Sequence, residues 1–225
     1  MVITLQRITT HSVFLFMEVI KSISYNEQEI IQWILKLHCK TDIELDPTYS
    51  KGNFYKGNFN EPKYKYDLYP QLPDVLEANA ENLPFEDEFF NTIMFDPPFL
   101  ATKGASLSVD NQSNKINKRF GVYPTEKELH QFYINSLNEF YRILKPKGIL
   151  IFKCQDKVSS GTQFFTHKFI MNEAEKIGFY CKDMFILLAK NRIIANWQLA
   201  NQKNARKYHS YFIVLEKTTK TTKYI

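Results

Sequence analysis

Thr92-Ile93-Met94-Phe95-Asp96-Pro97-Pro98-Phe99 joins an apolar run to a carboxylate, two prolines and an aromatic ring. The run has the length and character of a buried strand, and the four residues after it cannot extend it. Each proline lacks a backbone donor and fixes its φ, and Pro97 also restricts Asp96 to an extended conformation. The expected product is a stiff turn at a strand end, with the Asp96 side chain, the Pro97 carbonyl and the Phe99 ring directed into one cleft. Two acceptors and an aromatic face suit a planar heterocycle with an exocyclic NH2 group. The alternative is an Asp-Pro turn that only ends a strand, so the surroundings have to decide.

The 225 residues, with 44% hydrophobic content, 13 Tyr and 19 Phe, supply a sizeable core, and the expectation is one α/β domain over residues 1–225. A formal net charge of +5 is compatible with a polyanionic partner without requiring one. Cys39, Cys154 and Cys181 are odd in number and widely spaced, which points to neither a disulfide framework nor a zinc site. The apolar run from Val13 to Met17 is interrupted by Glu18 and is too short to span a bilayer. These features predict a cytoplasmic protein with no resident metal and no membrane association.

Residues 1–23 carry no decisive periodicity. Ser24 or Asn26 can cap a helix of about residues 26–38 whose first turn carries Glu27 and Glu29 and in which Ile30, Ile31, Ile34, Leu35 and Leu37 recur at helical spacing. Residues 1–40 thus form an N-terminal extension and helix. Asp42-Ile43-Glu44-Leu45 then breaks into a loop, Asp46-Pro47-Thr48-Tyr49-Ser50-Lys51-Gly52. Loops at strand ends are where open α/β sheets bind ligands. Lys63-Tyr64-Lys65-Tyr66 ends in Asp67, a second strand tip with a carboxylate suited to ribose hydroxyls, and the stretch after Val75 supplies a third tip around Asn79 and Ala80.

Downstream of the tetrapeptide, the segment 101–123 is rich in Ser, Asn, Lys and Gly and carries Lys115, Lys118 and Arg119. It reads either as a lid over the cleft or as a solvated loop. An amphipathic helix from about Pro124 runs to Lys145-Pro146-Lys147-Gly148, which stop it, and Gly148 to Cys154 is a buried strand ending at Gln155-Asp156. A helix over 165–177, a strand over 179–189 and a last strand over 208–216 complete the chain. The loop 190–207 between those strands carries Trp197, Lys203, Arg206 and Lys207, a set able to hold a nucleic-acid backbone and a base, or simply a solvated hairpin tip.

Strand, helix and strand alternating through five units and closing on a strand pair resembles class I S-adenosylmethionine-dependent methyltransferases, in particular the branch that methylates amines. The tetrapeptide Asp96-Pro97-Pro98-Phe99 matches that branch's catalytic [DNS]-P-P-[YFW] motif. Residues 45–52 resemble its D-P-F-x-G-S-G cofactor loop with Ser50 in place of the first glycine, and Ala78-Asn79-Ala80 resembles its G-D-A segment at the adenine. Residues 140–148 and Ala205-Arg206-Lys207-Tyr208-His209-Ser210-Tyr211 are similar to the corresponding stretches of bacterial and phage DNA methylases.

The resemblance implies an α/β, Rossmann-like fold with a seven-stranded, mostly parallel sheet and an antiparallel final strand. It implies S-adenosylmethionine as cofactor, held by Asp46, Pro47, Tyr49, Ser50, Gly52, Asp67, Asn79 and Ala80. Asp96, Pro97, Pro98 and Phe99 would then be catalytic, and Lys115, Lys118, Arg119, Trp197, Lys203, Arg206 and Lys207 would contact substrate. The implied activity is methylation of a DNA base amine, adenine N6 first, with cytosine N4, RNA amines and protein glutamine as alternatives. A catalytically silent nucleic-acid-binding subunit of the same fold is the rival class. DNA is favoured over RNA as partner. No separate target-recognition domain is left over, so recognition falls to the two loops, to a homodimer or to a separate subunit.

Overall fold

The computed structural model of the chain describes residues 19–57, 59–99, 101, 123–159, 161–191 and 202–223. In order, the elements are β1 (Ile23–Ser24), α1 (Glu27–His38), β2 (Leu45–Asp46), β3 (Tyr64–Asp67), β4 (Leu76–Glu77), β5 (Phe90–Phe95), α2 (Glu126–Ile143), β6 (Leu144–Cys154), β7 (Lys157–Ser159), β8 (Thr162–Phe164), α3 (Thr166–Ile177), β9 (Phe179–Leu188) and β10 (His209–Lys217). Among the described residues, eight strands form one sheet in the order β1-β9-β10-β6-β5-β2-β3-β4, and β7 and β8 form a separate hairpin. Every neighbour in the large sheet is parallel except β10, which runs antiparallel to both β6 and β9. This is the Rossmann-like arrangement expected, with one strand more than the seven anticipated. The addition is β1, two residues paired with β9 at the sheet edge.

Local chemistry sets the helix limits. The Asn26 side chain caps α1 by accepting from the N–H groups of Gln28 and Glu29, with Glu27 and Glu29 in the first turn and Lys36 and His38 in the last. Thr125 and Glu128 form a reciprocal capping box at the start of α2. Helix α2 ends at Ile143, and β6 begins at Leu144, earlier than the expected Gly148. Leu144 pairs with Phe90 and Ile149 with Thr92, so residues 145–148 bulge out of the ladder, with Lys147 at φ 66. The proline and glycine therefore shape a strand entry instead of a helix stop. Between β2 and β5 the expected alternation of strand and helix fails as well. The connections there carry only a short 3-10 turn, Asn53–Tyr55, among the described residues.

The pleat sorts side chains onto two layers. Ile93 and Phe95 of β5, Leu150, Phe152 and Cys154 of β6, and Ile213 and Leu215 of β10 pack with Leu129, Phe132, Leu137 and Phe140 of α2. Met94, Ile149, Ile151, Phe212 and Val214 pack on the opposite side with Ile30, Ile31 and Ile34 of α1. Among the described residues, no helix is long and apolar enough to cross a membrane.

Candidate active site

Strand β2 lies between β5 on one side and β3 on the other, so successive connections leave it in opposite directions and a crevice opens at the carboxyl ends of β2 and β5. Asp96 follows the last residue of β5 at that point. Its backbone N–H donates to Thr48 Oγ1 at 2.9 Å, and Thr48 Oγ1 donates to Asp46 Oδ1 at 3.1 Å. One threonine hydroxyl thus ties the loop after β2 to the tip of β5.

The remaining tetrapeptide is held from α2 and β7. The fully buried Tyr133 donates its hydroxyl to the Pro98 carbonyl at 2.7 Å, and Lys157 Nζ donates to the Phe99 carbonyl at 2.6 Å. Lys157 also pairs with Glu126 at 2.8 Å; burial pushes its ammonium below the usual range against the pull of that carboxylate. Pro97 is buried, and Asp96, Pro98 and Phe99 are half-buried. Ala101 and Tyr123 form an isolated bridge, so the two ends of the 101–123 segment meet just beyond the tetrapeptide.

The loop after β2 folds in on itself. Asp46 is fully buried: Oδ1 accepts from the Thr48 N–H at 2.8 Å and Oδ2 from the Tyr55 hydroxyl at 2.8 Å. Tyr49 is buried too, with its ring stacked on Tyr55 at 5.4 Å and lying over Gly52. A Cβ on Gly52 would meet the Tyr49 hydroxyl oxygen at 2.4 Å, and Gly52 has φ 61, so glycine is required there by the tyrosine as much as by the turn. Ser50, which the sequence resemblance sets where a cofactor loop would carry glycine, adopts φ 52, the left-handed conformation a glycine would take. Its N–H donates to Asp67 Oδ2 at 2.9 Å, while Tyr69 N–H donates to Asp67 Oδ1 at 2.8 Å. Asn79 is exposed and accepts from the Glu81 N–H at 3.0 Å; Ala80 and Pro47 are buried.

Burial pushes the Asp46 carboxyl from 3.8 up to about 7, although Thr48 and Tyr55 donate to it. The sign follows from proton linkage. A folded-state pKa above the unfolded value means that the folded state holds this proton more tightly, so stability is full below the unfolded pKa and falls as pH rises towards the folded one. Denaturant titrations should show the wild type losing stability relative to Asp46→Asn between about pH 4 and about 7, with no further difference above that. A difference that stays flat across this range would show that Asp46 is ionised throughout.

The sequence reading passed over one cation. Lys153 lies in β6 on the α1 layer, its side chain 13% exposed. Its Nζ donates to Glu27 Oε1 at 2.6 Å and Asp96 Oδ2 at 3.3 Å, and stands 4.8 Å from the Phe54 ring centre. A lysine interrupting the apolar run Ile149 to Cys154 was the available signal. Glu27 also belongs to an open cleft of about 740 Å³ lined by residues 25–28 and 187–191 beside the β1–β9 edge of the sheet, with Lys190 Nζ 5.9 Å from the Tyr25 ring centre. Beyond β6, the buried Asp156 pairs with His167 Nδ1 at 2.8 Å and accepts from the Tyr211 hydroxyl at 3.4 Å, which fastens the start of α3 to the sheet.

Of the residues expected to contact substrate, Lys203 is exposed, while Arg206 and Lys207 are half-buried just before β10. Lys115, Lys118, Arg119 and Trp197 lie outside the described residues. Among the described residues no cluster of His, Cys, Asp or Glu could hold a metal ion.

The family model for N6/N4 DNA methylases matches residues 90–225, more than half of the chain, and that span includes β5, the tetrapeptide and Lys153. The chain belongs to this family. The loop after β2 lies outside the matched span. A comparison with curated proteins gives no match. Among solved structures the chain is similar to a protein of Thermus thermophilus assigned as a DNA modification methylase and solved with S-adenosyl-L-methionine. Identity is 17% and the TM-score 0.44, over 66% of this chain and 56% of that one. It is also similar to the cytosine-N4-specific PvuII DNA methyltransferase, with 11% identity and a TM-score of 0.44 over 65% and 49% of the two chains. A SAM-dependent methyltransferase of Thermotoga maritima shares 18% identity with a TM-score of 0.47 over 86% and 87%. The chain thus spans little more than half the length of the Thermus protein.

Proposed function

We propose that the chain is an S-adenosylmethionine-dependent methyltransferase acting on an exocyclic base amine of DNA, with adenine N6 as the target. The carrying observation is the Asp96-Pro97-Pro98-Phe99 turn, inside the family span and fixed at the switch point by Thr48, Tyr133 and Lys157. A base amine is a poor nucleophile because its lone pair is delocalised into the ring. Accepting its two N–H hydrogens at Asp96 and at the Pro97 carbonyl favours a pyramidal nitrogen and stabilises the positive charge that develops there. As the nitrogen gains the methyl group it loses a proton, for which the Asp96 carboxylate is the acceptor at hand. Phe99 stacks on the base once it has left its helix, worth roughly 1 to 3 kcal/mol by comparison with other base–aromatic stacks.

The residues present fit the cofactor that the family uses. Ser50 takes the glycine-like conformation of the loop, and Asp67 stands against it with its carboxylate oriented by two backbone donors. Asp67 would hold ribose hydroxyls, the backbone around Ser50 the amino-acid portion, and Asn79 an adenine edge. Asp46 and Tyr49 would shape the loop from behind without touching the ligand. When bound, S-adenosylmethionine supplies a methyl group on a sulfonium, an electrophile that needs no metal. Asp67→Ala should weaken S-adenosylmethionine binding by about 1.5 to 3 kcal/mol, the worth of hydrogen bonds to a charged group. Unchanged calorimetric affinity in a folded variant would remove Asp67 from the site.

Lys203, Arg206 and Lys207 before β10 would meet phosphates, and Tyr25 with Lys190 would line the path of the strand through the neighbouring cleft. The test is transfer of labelled methyl groups from S-adenosylmethionine to unmodified DNA, RNA and protein. Label in DNA supports the reading, and label in RNA or protein alone replaces its substrate. Nucleic-acid binding by a protein with little or no affinity for S-adenosylmethionine would mark the silent subunit.

A further inference from the structure

Three charged groups from three elements meet beside the tetrapeptide: Glu27 from the first turn of α1, Lys153 from β6 and Asp96 from the end of β5. The Lys153 ammonium stands between the two carboxylates, 2.6 Å from Glu27 and 3.3 Å from Asp96, with its side chain only 13% exposed. Burying an ammonium this far is costly unless it is paired on both sides. Burial works to lower its pKa, yet Asp96 and Glu27 together leave it above the usual lysine value, so it is charged.

We propose that Lys153 is a positioning residue of the methyl-transfer site: held between Glu27 and Asp96, it turns the Asp96 carboxylate into a single orientation and keeps it ionised where the amine arrives. The inference rests on the function proposed above and adds a residue to it. The surroundings explain the need. The Asp96 charge reaches Asp46 on the β2 loop, the neutral phenols of Tyr55 and Tyr133 on the 3-10 turn and α2, and the neutral Cys154 thiol on β6, and helps to keep each of them protonated. Glu27 adds a second carboxylate on the α1 side. Without the Lys153 cation, the nearby Glu27 carboxylate and the partial burial of the site would favour a protonated Asp96. A protonated Asp96 would hold one acceptor fewer for the amine. Glu27, for its part, offsets the Lys153 charge, so that the cluster stays negative overall and remains complementary to the nitrogen as it becomes positive.

The test combines a titration with kinetics in Lys153→Met, Lys153→Arg and Glu27→Gln, each checked for folding by circular dichroism. The Asp96 carboxyl is followed by 13C NMR in protein labelled at aspartate and assigned by its loss in Asp96→Asn. Removing the cation should raise its pKa by about 1 pH unit or more, and removing the Glu27 charge should lower it, because Lys153 then acts on Asp96 alone. Single-turnover methyl transfer at saturating S-adenosylmethionine should fall at least tenfold in Lys153→Met, with its acid limb moved to higher pH. Lys153→Arg should restore most of the rate and the wild-type limb. Unaltered Asp96 titration in Lys153→Met, or an arginine variant as impaired as the methionine one, overturns the proposal. If Lys153→Met does not fold, Glu27→Gln decides through the sign of its shift. The titration needs no turnover, so a wild type that methylates nothing would sink the proposed function while leaving the role of Lys153 to be read from NMR.

Discussion

Asp96→Ala should lower the single-turnover rate of methyl transfer at least about 100-fold while leaving S-adenosylmethionine affinity nearly unchanged. The magnitude is that of removing one preorganised group aimed at developing charge. The pattern follows because the interaction is made mainly in the transition state, so its loss appears in the rate and not in cofactor binding. Thr48 holds Asp96 through the backbone N–H, which alanine retains, so the loop after β2 keeps its tie to β5. A variant with a near-normal single-turnover rate would remove Asp96 from the chemistry.

The second large effect is on stability. Phe95, fully buried and immediately before Asp96, meets Phe140 edge-on at 4.7 Å and Phe152 at 5.0 Å, with Phe132 at 6.0 Å. Phe95→Ala removes a ring at the junction of β5, β6 and α2 and leaves a cavity among the rings of Phe132, Phe140 and Phe152. The expected loss is about 3 to 5 kcal/mol in urea denaturation. A loss below about 1 kcal/mol would mean that this layer repacks freely, and that the strand tip carrying Asp96 is less rigid than its contacts indicate.

The tetrapeptide, the three helices, the buried β6 run and strand β10 were legible because each has a local signal, prolines, caps or periodic apolar residues, while the antiparallel direction of β10 came from the resemblance. Two stretches were not. Strand β1 is two residues paired only at an edge, and the β7–β8 hairpin turns at Gly161 through polar strands with little apolar alternation. The early strand entry at Leu144 was masked by Pro146 and Gly148, whose bulge imitates a helix stop. The cofactor loop was located from its strand end, but its interior was not readable: nothing in Asp46 or Tyr49 alone tells that both turn inward onto Tyr55. Lys153 was within reach. Phe95 pairs with Phe152, and alternation puts the next residue of each strand, Asp96 and Lys153, on the face of α1. A carboxylate and an ammonium side by side at that register are a stronger pointer to the site than either residue in its own run.

The most direct measurement is nucleoside mass spectrometry of unmodified double-stranded DNA after incubation with the protein and S-adenosylmethionine. N6-methyladenine is the expected product, absent when Asp96→Ala replaces the wild type. N4-methylcytosine in its place would keep the amine chemistry and change the base, whereas DNA that remains unmethylated beside an active cofactor-binding protein would contradict the account.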